Sequence, residues 1–124
     1  MRNMSFMYTL PQMEERIKDV TRRDGWWNLT PRTGLMAVKK GMGLKRGEKI
    51  ERLYPILVLS TRREKLSLLT ENIEYGYDEV LREGFPNMHP WEFVQFFCDT
   101  HKCQPTKLVN RIEFREITKG ETNV

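Results

Sequence analysis

The sequence predicts an α+β fold: a small β-barrel with two or three peripheral helices. Segments with the character of strands lie near both ends of the chain, and the clearest helical patterns lie between them. A barrel that pairs early strands with late strands leaves few exposed sheet edges, which favours this architecture. The 124 residues fit a single domain, whose core is expected over about 5–117 and whose tail beyond Thr118 is expected to fray.

The first part of the chain predicts two strands separated by a short helix. Residues 5–9 alternate and carry aromatic side chains, which is typical of a strand. Residues 11–18 begin with a proline, which the first turn of a helix tolerates, and they place two apolar side chains on one face. Residues 20–23 are expected to be extended, because an Asp-Gly turn signal follows them.

The middle of the chain predicts two further strands on either side of a glycine-rich basic loop. Residues 35–38 are apolar and predict a strand. The loop over 41–47 superficially resembles a phosphate cradle, but it lacks the Gly-Lys-Ser/Thr ending of a Walker loop and is interpreted as a turn region. Residues 50–63 contain the longest apolar run and predict a central strand, with Pro55 at its beginning or at a bulge.

Two helices and a last strand are predicted in the second half. Thr70 is the expected N-cap of a helix that continues to Gly84, with Ile73 and Tyr77 facing inward. A second helix begins at the following His-Pro pair. Its apolar stripe at helical spacing is predicted to lie in the core and consists of Trp91, Val94, Phe97 and Cys98. Residues 108–117 alternate and predict the final strand.

Charge is unevenly distributed along the chain. The net charge is +4, yet residues 16–65 contain 14 Lys or Arg against 5 Asp or Glu, a local excess of +9. A basic half on an otherwise acidic domain is typical of a site for a polyanion, because neutralising phosphates supplies most sequence-independent affinity. The alternative is that the cations are solvated side chains that keep the protein soluble and protect sheet edges.

Other classes of protein are disfavoured by composition. No apolar run approaches the roughly 20 residues that cross a bilayer, and the N-terminal residues lack the apolar segment of a signal peptide, so an intracellular, cytoplasmic protein without a membrane partner is expected. The two cysteines are interpreted as reduced thiols. Cys98, His101 and Cys103 lie close in sequence, but the only further Cys or His is His89, so neither a zinc site nor another cofactor is expected.

The strongest candidate for a binding site is a short basic segment followed by two tryptophans. Cations attract phosphate, a hydroxyl supplies a polar contact or a nucleophile, and indole rings stack on bases. The residues that combine these properties are Lys18, Thr21, Arg22, Arg23, Trp26 and Trp27. Lys18 and Arg23 are expected to bind phosphate or base edges, and the tryptophans to stack. A basic strand whose aromatic side chains are buried would have the same pattern.

The same segment carries a family resemblance. Lys18 and Arg23 are similar to the Gly-x-Lys-x-x-x-x-Arg signature of the ASCH domain family, although Arg16 stands where the signature usually has glycine. The order of later segments also agrees, among them Leu-Arg-Glu-Gly-Phe over 81–85 and the strand Arg-Ile-Glu-Phe over 111–114. The resemblance covers roughly residues 5–117, and similar chains of this length look like phage or prophage proteins.

The resemblance implies a PUA-like β-barrel and a nucleic-acid or nucleoside ligand. Some small members of the family hydrolyse acetylcytidine with a threonine nucleophile, a lysine base and a glutamate, and these roles correspond to Thr21, Lys18 and Glu83. A lysine acts as a base only where its pKa is lowered, and a threonine hydroxyl needs such a base. Three alternatives stay open: binding of RNA or a nucleoside without chemistry, ribonuclease activity, or a protein-interaction role in which Trp26, Trp27 and Met42 form an exposed apolar patch.

Overall fold

The computed structural model describes residues 1–121 as a mixed α+β fold, in which a five-stranded sheet curls into a half-barrel. The strands are β1 (Arg2–Ser5), β2 (Val20–Arg23), β3 (Gly34–Val38), β4 (Arg52–Lys65) and β5 (Leu108–Glu116). The helices are α1 (Leu10–Glu14), α2 (Leu68–Glu71), α3 (Ile73–Arg82) and α4 (Pro90–His101). One 3₁₀ turn, Met7–Thr9, precedes α1.

The strand order is β1-β3-β4-β5-β2, so an early strand pairs with the last one, as expected. β2 runs antiparallel to β5, and β1 runs parallel to β3. Within residues 1–121, β1 and β2 are the two edges of the sheet and do not pair with each other. The expected barrel is therefore present as a half-barrel.

The long strand β4 holds the sheet together because it pairs with both β3 and β5. Every second side chain in the first half of β4 points into the curl, namely those of Tyr54, Ile56 and Val58. They join a core of Met, Phe and Leu side chains. A second apolar cluster lies where α2, α3 and α4 pack near the end of β4. The register of β4 against β5 shifts between Val58 and Ser60, a bulge that bends the strand.

Pro55 was expected at the start of its strand or at a bulge, and it is at neither. It lies inside β4, opposite Met36. Its carbonyl accepts a bond from the amide of Ile117, just beyond the end of β5. The N and C=O groups of one strand residue face the same neighbouring strand, so the nitrogen of Pro55 also faces β5. Because β5 ends at this point, the missing N–H of Pro55 costs little strand pairing.

The N-terminal elements are shorter than predicted. The first strand covers Arg2–Ser5, and residues 7–9 form the 3₁₀ turn instead of continuing it. The helix predicted over 11–18 ends at Glu14, because Arg16 adopts a left-handed backbone with φ of 57°. The amide of Ile17 then donates to Gln12 O at 3.0 Å, the bond that closes a Schellman motif.

The helix predicted from Thr70 to Gly84 is two helices, and its inward face was wrongly assigned. α2 ends at Glu71, and Asn72 caps α3 by accepting a bond from Tyr75 N at 3.3 Å. Ile73 and Tyr77 are 42% and 43% exposed. The buried face of α3 instead consists of Gly76, Glu79 and Val80. Because Glu79 on this face is charged, the apolar periodicity of the sequence does not indicate that the face is buried.

The other helical stripe is only partly buried. Val94 and Phe97 belong to the core, whereas Cys98 is half-buried and Trp91 is 53% exposed, stacked on the His89 ring at 4.5 Å between centroids. The last strand ends at Glu116, and residues 118–121 form a turn that Glu121 closes by accepting from Thr118 N at 2.9 Å. The rest of the tail expected to fray, residues 122–124, lies outside the described part of the chain. No helix within residues 1–121 is long and apolar enough to cross a membrane.

Candidate functional site

A cavity of about 270 Å³ lies where the segment after β1, the strand β2, the end of α3 and the helix α4 meet. Aromatic rings form much of its wall, contributed by Phe6, Phe85, Phe93, Phe96 and Phe97. Its polar lining includes Lys18, Thr21, Arg22, Arg23 and Glu83. Apolar walls with a few convergent polar groups are typical of a small-molecule site. Five of the seven candidate residues from the sequence therefore border one cavity.

The end of α1 brings Lys18 to this cavity. The left-handed turn at Arg16 reverses the chain, a position for which glycine is best suited. Three residues later, Asp19 N donates to Arg82 O at 2.9 Å, which ties the start of β2 to the last turn of α3. Gly84, with φ of 100°, follows α3, and a Cβ there would lie 3.3 Å from Lys18 Cβ. The two segments thus approach each other closely.

Lys18 and Glu83 form a buried ion pair, although 65 positions separate them in sequence. Lys18 Nζ donates to Glu83 Oε1 at 2.6 Å and to Glu83 O at 3.0 Å. Their side chains are 2% and 3% exposed. Burial lowers the pKa of Lys18, against the opposing effect of Glu83, and the nearby guanidinium groups of Arg23 and Arg22 lower it further.

Arg22 lies behind this pair and bridges three carboxylates. It donates to Glu83 Oε2 at 3.1 Å, to Glu64 Oε2 at 3.0 Å and to Glu79 Oε1 at 2.7 Å, with no exposed side-chain surface. Burial acts to lower the pKa of Arg22, but the carboxylates, Glu83 foremost, raise it above its ordinary value. Arg22 was expected to contact a ligand. The structure shows that its cation is already neutralised within the protein.

Glu79 is the centre of the buried ion cluster, by which we mean Lys18, Arg22, Glu64, Glu79, Glu83 and Arg111. Arg111 on β5 contacts both carboxylate oxygens of Glu79, with Nη2 to Oε2 at 3.0 Å. Burial acts to raise the pKa of Glu79, but hydrogen bonds from Arg111 and the charge of Arg22 lower it to about 2. The cluster holds three cations and three carboxylates, so its members neutralise one another.

Thr21 and Arg23 form a second polar group at the cavity. Arg23 Nε donates to Thr21 Oγ1 at 3.0 Å, and the guanidinium lies 4.7 Å from the centroid of the Phe6 ring. Burial lowers the pKa of Arg23 to about 10, with Glu83 opposing the shift. Among residues 1–121, Lys18 Nζ makes no hydrogen bond to Thr21 Oγ1. The hydroxyl and the lysine border the same cavity but are not hydrogen-bonded to each other.

The two tryptophans, expected to stack on a base, are not part of the lining of this cavity. Trp26 packs against the core of the half-barrel with Arg2 5.1 Å from its ring centroid. Trp27 is 36% exposed, with Arg63 5.0 Å from its ring centroid. Trp26 lies in, and Trp27 directly follows, a turn at Gly25 and Trp26 where φ is positive. The aromatic side chains that line the cavity are mainly phenylalanines.

Several residues that build the site were not identified from the sequence. Glu79 and Glu64 were not assigned a role, although Glu79 lies about one helical turn before Glu83, the C-cap of α3. Of the phenylalanines of α4, only Phe97 was assigned a role, in the core, but Phe93, Phe96 and Phe97 all line the cavity. Phenylalanine spacing does not reveal whether a ring packs on protein or faces a space.

The group Cys98, His101 and Cys103 does not gather into a metal-ligand set among residues 1–121. The ring of His101 stacks on Phe97 with centroids 3.9 Å apart and borders the cavity. Burial, with the neighbouring Cys103, raises the pKa of the Cys98 thiol to about 11, which keeps it protonated at neutral pH.

Comparison of the chain with protein-family models, curated proteins and solved structures finds no match.

Proposed function

We propose that this protein recognises RNA or a free nucleobase or nucleoside, and that the base enters the cavity beside Lys18, Thr21 and Arg23. The observation that carries the proposal is the lining of that cavity: aromatic walls end at a small group of hydrogen-bonding side chains. A base is flat and apolar on its faces and polar along its edge, so it matches both parts of this surface.

The size of the cavity favours one base rather than an extended strand. Pockets for small ligands commonly enclose roughly 300–1,000 Å³, and about 270 Å³ lies just below that range. Stacking of a base on an aromatic ring contributes about 1–3 kcal/mol. The resemblance to the ASCH family, whose members have nucleic-acid or nucleoside ligands, supports the same class of ligand.

Calorimetric titration with the four ribonucleosides and with short single-stranded RNAs tests the proposal. We expect binding of at least one of them, weakened about tenfold or more in Phe96→Ala, because that substitution removes a half-buried ring from the wall. Trp27→Ala is the matched control, since it removes a larger aromatic ring outside the cavity. Equal losses in the two variants, or no binding by the wild type, would contradict the proposal.

A second candidate function is hydrolysis of an acylated cytidine. It is favoured by one observation: Thr21, Lys18 and Glu83 border the same cavity, and burial lowers the pKa of the lysine. In this reaction Thr21 Oγ attacks the acyl carbon, its proton passes to the base, the C–N bond breaks with protonation of the leaving amine, and water then releases the acid. Lys18 has to leave its bond to Glu83 or act through a water molecule, because its ammonium group makes no hydrogen bond to Thr21.

Acid release from acetylcytidine separates this candidate from binding alone. Thr21→Val keeps the shape of the side chain and removes the nucleophile, so turnover should disappear while nucleoside binding persists. Equal turnover by wild type and variant would exclude the threonine mechanism. Cleavage of RNA in a parallel assay would instead favour a ribonuclease.

A further inference from the structure

We propose that the cavity selects a ligand with a terminal phosphate, a nucleoside monophosphate in preference to a nucleoside, and that Arg23 holds the phosphate. This inference rests on the proposed function and narrows it to a class of ligand. In this proposal Arg23 binds the ligand, whereas Lys18 and Arg22 hold the site together, although all three cations belong to the same basic segment of the sequence.

Lys18 and Arg22 are poor anchors for an anion because carboxylates already neutralise them. Lys18 is paired with Glu83 at 2.6 Å, and Arg22 with Glu64, Glu79 and Glu83 at 2.7–3.1 Å. Moving either cation to a ligand would break a buried ion pair and leave Glu83 with one cation instead of two, which is unfavourable. Their role toward a ligand is confined to donors that the carboxylates do not occupy.

Arg23 differs from both. Within residues 1–121, no carboxylate lies within salt-bridge distance of its guanidinium, and only Nε donates a hydrogen bond to the protein. Its two terminal nitrogens have no hydrogen-bond partner among residues 1–121, and the side chain borders the cavity. A half-buried cation without a counter-ion is unfavourable, and an anionic ligand would relieve that cost. The planar guanidinium also matches the oxygens of a phosphate.

The neighbours of Arg23 fit the same class of ligand. Thr21 supplies a hydroxyl, and Lys40 borders the cavity with only a loose contact to Glu48 at 3.9 Å. The acidic and basic side chains that line the cavity comprise four Lys or Arg and one carboxylate, Glu83. A phosphodiester inside an RNA chain carries a second nucleotide, and that nucleotide would have to leave a cavity of only about 270 Å³. A terminal phosphate monoester therefore fits better.

Titration with each ribonucleoside and its 5′-monophosphate tests the proposal. We expect the wild type to bind a monophosphate about tenfold or more tightly than the parent nucleoside, because hydrogen bonds to charged groups contribute about 1.5–3 kcal/mol. In Arg23→Gln this ratio should fall to near one. Arg52→Gln, which removes an exposed arginine outside the cavity, should retain the wild-type ratio.

Arg23→Lys provides a second variant if Arg23→Gln does not fold, and it should show an intermediate ratio because it keeps the charge but not the two-pronged donor. Equal affinity of the wild type for nucleosides and monophosphates would overturn this inference and leave the proposed function standing. Binding of inorganic phosphate through Arg23, without binding of any nucleoside or nucleotide, would instead refute the proposed function and the nucleotide ligand together.

Discussion

The substitution Glu79→Gln tests whether the buried ion cluster holds the candidate site together. Glu79 is 3% exposed and neutralises Arg22 from β2 and Arg111 from β5 at once. Glutamine has nearly the same shape but no charge. The variant would therefore leave two buried guanidinium groups sharing fewer carboxylates, while disturbing the packing of α3 very little.

The expected loss of stability is large for a single isosteric change. Removing one partner of a buried ion pair costs about 3–5 kcal/mol, whereas domains of this kind unfold with about 5–15 kcal/mol. With an unfolding entropy of about 2.1 cal/mol/K per residue, each kcal/mol corresponds to about 4 °C for this length of chain. Glu79→Gln should therefore lower Tm by about 12–20 °C.

Thermal and urea unfolding followed by circular dichroism measure this loss. Asp78→Asn is the control, because it removes an exposed charge from the adjacent position of the same helix and should change stability by less than about 0.5 kcal/mol. A Glu79→Gln variant as stable as Asp78→Asn would refute the argument that the cluster depends on this charge.

The pKa of Glu79 adds a dependence on pH. Its value in the folded state, about 2, lies below the ordinary 4.5, so the carboxylate contributes stability that is fully present above pH 4.5 and is lost as pH falls through about 2. The difference in unfolding free energy between wild type and Glu79→Gln should narrow over that window. A constant difference from pH 5 to pH 2 would mean that Glu79 does not titrate as the geometry requires.

Two glycines give further predictions on stability. Gly76→Ala should be destabilising by more than about 1 kcal/mol although alanine favours helices, because its Cβ would lie 1.9 Å from the Leu69 carbonyl oxygen; increased or unchanged Tm would contradict this close packing of α2 on α3. Gly84→Ala should lower the free energy of unfolding by about 1–3 kcal/mol, because φ is 100° and the added Cβ would lie 2.6 Å from Gln12 Cγ. It should also weaken any nucleoside binding by shifting Glu83. Urea unfolding and calorimetry measure the two effects, and a variant with unchanged stability would refute the strained turn.

Local sequence patterns are sufficient to predict much of the secondary structure of this protein. The β-branched and apolar run within β4, the alternation in β5 and the His-Pro start of α4 each depend on neighbours a few residues away, so the sequence predicts them directly. The same is true of the basic segment in β2. The predicted inward face of α3 was wrong because Glu79 is buried by partners on other strands.

The tertiary structure alone decided which charges are free and which rings face the cavity. Lys18, Arg22 and Arg23 are similar in sequence context, but carboxylates from β4 and α3 neutralise the first two and leave the third. The sequence predicts Trp26 and Trp27 as the stacking surface, but the aromatic rings that line the cavity include phenylalanines from α4 and neither tryptophan. Composition and spacing determined that this chain has a basic segment beside aromatic residues; long-range contacts, which no local pattern encodes, decided how those groups are paired.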